Sequence, residues 1–357
     1  MNFRIGTIGY GYISKIHSIA YNSMKYCYQN FEYNVILDKL LTSKEISTSK
    51  TGYNQHVKTI EEMIDAEILD ICSPNFVHKN QIEDSIKRGV KNIYCEKPIA
   101  GFYKDEVYLT QLAEDNNVCN QTALIYRFLP TVNRAKKIIQ EDIIGDVIHF
   151  KCCFYHESYL NKNRPMSWRL EKAKSGGGAF IDLGVHMIDL ISYVLGEIQT
   201  IEGVTKTVID NRISGNEIKK VDVDDFVHMD ITMKNDVNGF MEVSRVSSGF
   251  KEGVLFEIYG TKGSIKITTL NPLYPEVYSF AEQSYKIGNF ISFDDVEHDI
   301  DKVWPSGKYS LGWMVDAHMA SLYSFLLNID NKKLKFMKLP TFRDSMNAVK
   351  LIEEGYK

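Results

Sequence analysis

Metal-ligand and disulfide patterns are what this chain most plainly lacks. Its six cysteines (Cys27, Cys72, Cys95, Cys119, Cys152, Cys153) include no C-x-x-C pair and no zinc-site spacing. Cys72, Cys95 and Cys119 fall in or beside short apolar runs, where cysteine behaves as a small hydrophobe, so all six are read as reduced and structural. No histidine and carboxylate cluster with ligand spacing is evident, and no metal is expected. Basic runs of five or more are missing too, and 42 basic against 46 acidic residues leave a net charge of -4. That balance excludes a broad nucleic-acid or membrane surface. No apolar run approaches the length that crosses a bilayer. The chain enters Phe3-Arg4-Ile5-Gly6-Thr7-Ile8 at once, which leaves no room for a secretion signal, so a cytoplasmic protein is expected. Internal repeats and low-complexity segments are absent.

What is present reads as two domains, because 357 residues are long for one core. In the first third, short apolar runs (3–8, 68–72, 93–95, 118–124) alternate with helical segments (12–26, 77–88, 104–116). Strands alternating with helices predict a parallel, doubly wound sheet. After about residue 125 the rhythm changes. A helix over 131–141 precedes a long strand over 147–155, and strands follow one another between 223 and 267. This predicts an α+β domain with an open antiparallel sheet, whose free face would pair copies into a homodimer or homotetramer. A last helix over 315–327 carries His318, read as a core or surface residue rather than a ligand.

The first strand runs into Gly9-Tyr10-Gly11-Tyr12-Ile13-Ser14, a G-x-G-x-x-S opening a helix. Gly9 allows the tight turn, and Gly11 lets backbone N–H groups, with those of Tyr12 and Ile13, approach a pyrophosphate. The context of strand, glycine turn and helix predicts a Rossmann dinucleotide-binding domain over 1–124, with the α+β domain over 125–357. The second strand leaves two readings open. If it stops at Leu37, Asp38 binds the ribose hydroxyls of NAD. If it runs on to Leu41, Thr42, Ser43 and Lys44 line the pocket and suit NADP. The second is favoured, so the cofactor is NAD or NADP.

Further on, Ser175-Gly176-Gly177-Gly178 opens a helix that sets Asp182 and His186 four residues apart on one face. Histidine trades a proton near neutral pH, and an aspartate one turn away can orient it.

Six segments in order resemble the glucose–fructose oxidoreductase/inositol dehydrogenase (Gfo/Idh/MocA) family, over nearly the whole chain. They are Gly9-Tyr10-Gly11 with His17, Ser73-Pro74-Asn75 with His78, Glu96-Lys97-Pro98, Tyr126-Arg127-Phe128 with Pro130, Ser167-Trp168-Arg169, and Ser175 to His186. The resemblance implies that Lys97 contacts nicotinamide and the substrate hydroxyl, and that Asp182 and His186 complete the site. It implies that Ser73, Pro74, Asn75 and His78 pack along the cofactor beside Glu96, with Trp168 and Arg169 reaching toward it. Arg127 and Trp168 are assigned to the substrate, and a cis Lys97–Pro98 bond is expected. Plainer readings stand beside these. Glu96-Lys97 would be a surface charge pair, Trp168 a core aromatic, His17 and His78 packing residues, and Arg127 the anchor of a helix start through a carboxylate.

Oxidising an alcohol removes a hydroxyl proton as hydride leaves carbon, and either Lys97 or His186 would serve as base. The favoured assignment makes His186 the proton acceptor or donor, Lys97 the electrostatic anchor and relay, and Asp182 the orienting carboxylate. The expected function is NAD(P)-dependent interconversion of secondary alcohol and ketone on a sugar, cyclitol or sugar derivative. The alternatives are an NAD-dependent glycoside hydrolase of the same fold and a non-catalytic cofactor-sensing regulator. The expected partner is a small sugar or polyol substrate, with no nucleic acid and no membrane.

Overall fold

The computed structural model describes all residues from Met1 to Lys357. The chain forms two compact units, one of Met1–Phe128 with Glu297–Met346, the other of Leu129–Val296 with Asn347–Lys357.

In the first unit, β1 (Asn2–Ile8), β2 (Asn34–Leu41), β3 (Gln55–Val57), β4 (Ile68–Ile71), β5 (Asn92–Cys95) and β6 (Cys119–Thr122) form one parallel sheet. Their order is β3-β2-β1-β4-β5-β6. The helices between them are α1 (Tyr12–Cys27), the single turn α2 (Thr48–Thr51), α3 (Asn75–Lys87) and α4 (Tyr103–Asp115). A parallel sheet sandwiched by helices buries both faces of its central strands, and all four residues of β4 are buried. Ile82 and Ile86 of α3 join Ile71, Ile93 and Leu109 in one apolar core. The strand order reverses between β1 and β4, the place where such sheets bind ligands at their carboxyl edge.

The segment Glu297–Met346, which the sequence pattern attaches to the second domain, belongs to this unit. The cause is α9 (Trp313–Ile329), which packs along α1. Its Ser321 hydroxyl lies 2.8 Å from the Tyr94 hydroxyl on β5.

The second unit starts with α5 (Pro130–Gln140), whose proline sits in the first turn, where its missing N–H costs nothing. β7 (Val147–Tyr155), the short α6 (Lys172–Ser175) and α7 (Val185–Leu195) follow. Then come β8 (Ile198–Lys206), the separate hairpin β9 (Asn211–Ser214) and β10 (Glu217–Lys220), and β11 (Phe226–Met233) to β12 (Asn238–Ser244). The remaining strands are β13 (Gly253–Gly260), β14 (Gly263–Thr268), β15 (Asn271–Ser279) and β16 (Ser284–Lys286). The large sheet has the order β16-β15-β14-β13-β7-β12-β11-β8. It is antiparallel except where β12 runs parallel to β7. Burial alternates along β13 and β14, so one face lies under α5 and α7 and the other is half-open. The chain closes with α8 (Asp294–Val303), α9 and α10 (Phe342–Gly355).

One expectation is corrected here. The helical stretch Lys172–Leu195 is long and apolar enough to cross a membrane, but 83% of its apolar window is buried inside the protein. Its hydrophobicity serves a core.

Candidate active site

The cradle at the first turn is built by backbone. Gly9 follows β1 with φ 95°, which favours glycine. A Cβ there would stand 2.8 Å from the Ser73 nitrogen, so the ends of β1 and β4 touch only because Gly9 has no side chain. Gly11 is the N-cap of α1, no side chain caps that helix, and a Cβ on Gly11 would meet nothing within 4 Å. Tyr12 is exposed and Ile13 half-exposed. A long helix with uncapped first N–H groups at an open glycine edge fits a dinucleotide pyrophosphate. Ser14 is buried in the place of the usual third glycine, its hydroxyl donating to the Gly11 carbonyl at 3.2 Å.

At the ribose end, β2 runs on to Leu41. Asp38 therefore lies within the strand, 8% exposed, and accepts a hydrogen bond from Asn54 Nδ2 at 3.1 Å. Thr42, Ser43 and Lys44 follow the strand end. Thr42 Oγ1 accepts the Lys44 N–H at 3.2 Å, and Lys44 Nζ donates to the Tyr10 carbonyl at 2.7 Å.

Ser73 and the helix start Pro74-Asn75 leave β4, and Glu96-Lys97-Pro98 leave β5. The strand order β1-β4-β5 thus sets Gly9, Ser73 and Lys97 at neighbouring strand ends. Lys97 is half-buried and its bond to Pro98 is cis. His78 is fully buried, with Nε2 2.7 Å from the Ser73 carbonyl and Nδ1 3.2 Å from the Pro98 carbonyl. Burial pushes its pKa down, and the neutral ring, packed between both carbonyls, donates its single N–H to one of them.

Glu106 on α4 braces the same loop. Its Oε1 accepts the N–H groups of Ala100 at 2.8 Å and Gly101 at 3.3 Å. Burial pushes this carboxyl up to about 7, despite those bonds. A carboxyl whose pKa is higher folded than unfolded contributes stability at low pH that is lost as pH rises through the folded value. The shift corresponds to about 3 kcal/mol. Denaturant unfolding at stepped pH should show stability declining between pH 4.5 and about 7 and level above that. Glu106→Gln should flatten that decline, and an identical slope in the variant would show that another group causes it.

His17, a packing residue in the plainer reading, is buried in a polar cluster. Its Nδ1 lies 3.0 and 3.1 Å from the two Asp70 oxygens, and its Nε2 lies 3.2 Å from both His318 Nδ1 and Glu96 Oε1. A histidine and carboxylate cluster therefore exists, although linear spacing shows none. Arg127 is buried, and its Nη2 donates to Asp344 Oδ1 at 2.6 Å. The other Asp344 oxygen accepts the Thr341 N–H at 2.7 Å, just before α10, so this guanidinium does anchor a helix start.

In the second unit the glycine run does not open a regular α-helix. Phe180–Gly184 is a π-helical turn, and α7 begins only at Val185. Asp224 holds this turn: its carboxylate accepts the N–H groups of Gly178 at 3.0 Å and Phe180 at 2.8 Å, and its carbonyl accepts that of Ala179 at 2.9 Å. A Cβ on Gly178 would stand 1.9 Å from the Asp224 carbonyl oxygen. The Tyr356 hydroxyl also donates to Asp224, at 2.5 Å. From Gly177 to Ile191 every residue is buried except Asp182 and His186, which are half-exposed. The Trp168 ring is half-buried, not a core aromatic, with the Arg169 guanidinium 4.3 Å from its centre.

Sequence reasoning missed Asp70, Glu106, Asp224 and Tyr356, and it took His318 only as a core or surface residue, not as a partner of His17. None of the missed residues sits in a motif, and the only signal of Asp70, Glu106 and Asp224 is that each is a polar residue buried among apolar ones.

A phosphate cradle at the switch point of a parallel sheet, followed by a mixed-sheet domain, defines an NAD-binding oxidoreductase. Residues 3–123 match the family described as "Oxidoreductase family, NAD-binding Rossmann fold", and residues 132–266 match the "GFO/IDH/MocA C-terminal domain". The chain belongs to the Gfo/Idh/MocA family. It is 28% identical over 343 residues to the levoglucosan dehydrogenase of Pseudarthrobacter phenanthrenivorans, covering 89% of this chain and 88% of that protein. It is 27% identical over 354 residues to the glucose-6-phosphate 3-dehydrogenase of Bacillus subtilis, covering 98% and 94%. Among solved structures, a levoglucosan dehydrogenase in complex with NADH and L-sorbose matches with TM-score 0.89 and 25% identity, covering 100% of this chain and 97% of that one.

Proposed function

We propose that this protein interconverts a secondary alcohol and a ketone on a sugar, cyclitol or sugar derivative, using NAD or NADP. The observation that carries the reading is the pair Asp182 and His186, the two half-exposed polar residues in an otherwise buried run whose turn is fixed by Asp224. The sugar dehydrogenases among its relatives support it. The cradle of Gly9 and Gly11 would hold the dinucleotide, with Ser73, Pro74 and Asn75 along it. When bound, the nicotinamide supplies the hydride acceptor or donor. His186 takes the hydroxyl proton as the alcohol is oxidised and returns it in the reverse direction. Asp182 orients that ring, and the Lys97 ammonium stabilises the oxygen as it gains negative charge.

The test is an absorbance screen of polyols, cyclitols and keto-sugars with each cofactor. Net formation or loss of reduced cofactor on one of them is the expected result. Release of a leaving group with no net change in reduced cofactor would replace this reading with the hydrolase. No reaction with any of them, despite tight cofactor binding, would favour the regulator.

The end of β2 supports NADP recognition. Lys44→Ala should weaken NADPH binding by about tenfold, roughly 1.4 kcal/mol, and leave NADH within about threefold. Equal weakening of both in fluorescence titrations would show that Lys44 does not read the ribose.

A further inference from the structure

We propose that His17 is the positioning residue for Lys97, acting through Glu96. The inference rests on the reading of Lys97 as a catalytic group.

The connection is continuous. Asp70 at the end of β4 holds Nδ1 of the His17 ring at 3.0 Å. The ring's Nε2 faces Glu96 Oε1 at 3.2 Å, and the other oxygen of Glu96 accepts the backbone N–H of Lys97 at 3.3 Å. Glu96 thus lies within ion-pair distance of α1 on one side and on the other holds the backbone of the residue that leaves β5. The same helix α1 presents the phosphate cradle at its first turn. His17 therefore keeps the cradle and the Lys97 backbone in one register.

The carboxylates on either side favour a charged ring: Nδ1 faces Asp70 and Nε2 faces Glu96, and only the protonated imidazole carries an N–H toward each. Two buried carboxylates without a cation between them would be costly. The surrounding groups agree. Burial opposes the proton on His17, and the charges and hydrogen bonds of Asp70 and Cys72 together outweigh it, so its pKa is raised well above the ordinary value. Burial likewise opposes ionisation of Glu96, and the surrounding groups, led by the hydrogen bond and then the charge of His17, together outweigh it, leaving Glu96 ionised with a pKa of about 2. On α9, burial and the His17 charge push His318 down to about 3, so it accepts as a neutral ring. The Cys72 thiol on β4 is pushed up by burial and Asp70 and donates to Asp70 at 3.3 Å. Tyr21, Tyr53 and Tyr94 are also pushed up, by burial first, and remain neutral. Lys97 is the one other charge facing Glu96.

The test combines NMR of the apo-protein with kinetics. Histidine labelled with nitrogen-15 should show His17 still protonated on both nitrogens at pH values where an ordinary histidine is neutral. Lysines reductively methylated with carbon-13 should give a distinct Lys97 signal, assigned by its loss in Lys97→Arg. That signal should move or broaden in His17→Gln and in the isosteric Asp70→Asn, which covers the case that the first variant does not fold. On the sugar found by the screen, kcat should fall at least tenfold in Asp70→Asn while the Kd for NADH stays within threefold. The loss should deepen as pH rises, because His17 loses the anion that retains its proton. An unchanged Lys97 signal in a folded variant would overturn the proposal. So would a neutral His17, or one equivalent of zinc carried by the purified protein on these side chains. Should the parent turn over no sugar or cyclitol, the function reading fails, and the Lys97 signal still decides the positioning role.

Discussion

Lys97→Ala should abolish turnover while cofactor binding survives within about tenfold, roughly 1.4 kcal/mol. Lys97 leaves β5 at the carboxyl edge of the parallel sheet, beside the strand ends that carry Gly9 and Ser73. The pyrophosphate cradle is made by backbone groups of β1 and α1, none of which depends on the Lys97 side chain. Removing the ammonium therefore deletes a charge that is useful mainly when the substrate oxygen turns anionic. Losses of about a hundredfold to a thousandfold accompany the removal of one such electrostatic group, and more when it also relays a proton. The measurement is kcat with saturating cofactor, together with NADH fluorescence titration. A variant that keeps turnover would remove Lys97 from the site, and one that loses cofactor binding outright would make it a binding residue.

Gly9→Ala should have the opposite signature. Its backbone is at φ 95°, and the added methyl would meet the Ser73 nitrogen at 2.8 Å and the Cys72 carbonyl carbon at 2.9 Å. Backbone atoms on both sides cannot yield as a flexible side chain would. The strained φ costs roughly 1–2 kcal/mol, and separating β1 from the β4 turn adds to it. The cradle should open, and affinity for NADH should fall at least a hundredfold, about 2.7 kcal/mol, with a lower Tm. Unchanged affinity would mean that the dinucleotide is held elsewhere. Together the two variants separate binding from chemistry.

The parts of the fold that repeat locally were legible in the sequence. Apolar runs of the right length marked β1, β4, β5 and β7, and helical spacing placed α3, α4 and α9 to within about two residues. The glycine turn after β1 is legible because its residues occupy one short, ordered segment. What stayed hidden depends on contacts between distant residues. His17 and His318 are 301 residues apart, and no periodicity tells which helix will cover α1. That is also why the sequence pattern attaches Glu297–Met346 to the second domain, whereas the chain packs it in the first unit. The pairing of Asp182 with His186 was read from regular helix spacing, whereas the chain forms a π-helical turn there. The cause lies in Asp224, which stands just before β11 in no motif and organises the turn from outside. Asp38 was ambiguous because the length of β2 depends on its pairing with β1, which continues to Leu41.

The most direct test follows the hydride itself. The alcohol found by the screen would be prepared with deuterium on its carbinol carbon, and the reduced cofactor recovered after one turnover. The account predicts one deuterium on the nicotinamide ring per ketone formed, with none released to water. Deuterium retained in the product, or exchanged into solvent without reduced cofactor accumulating, would contradict it.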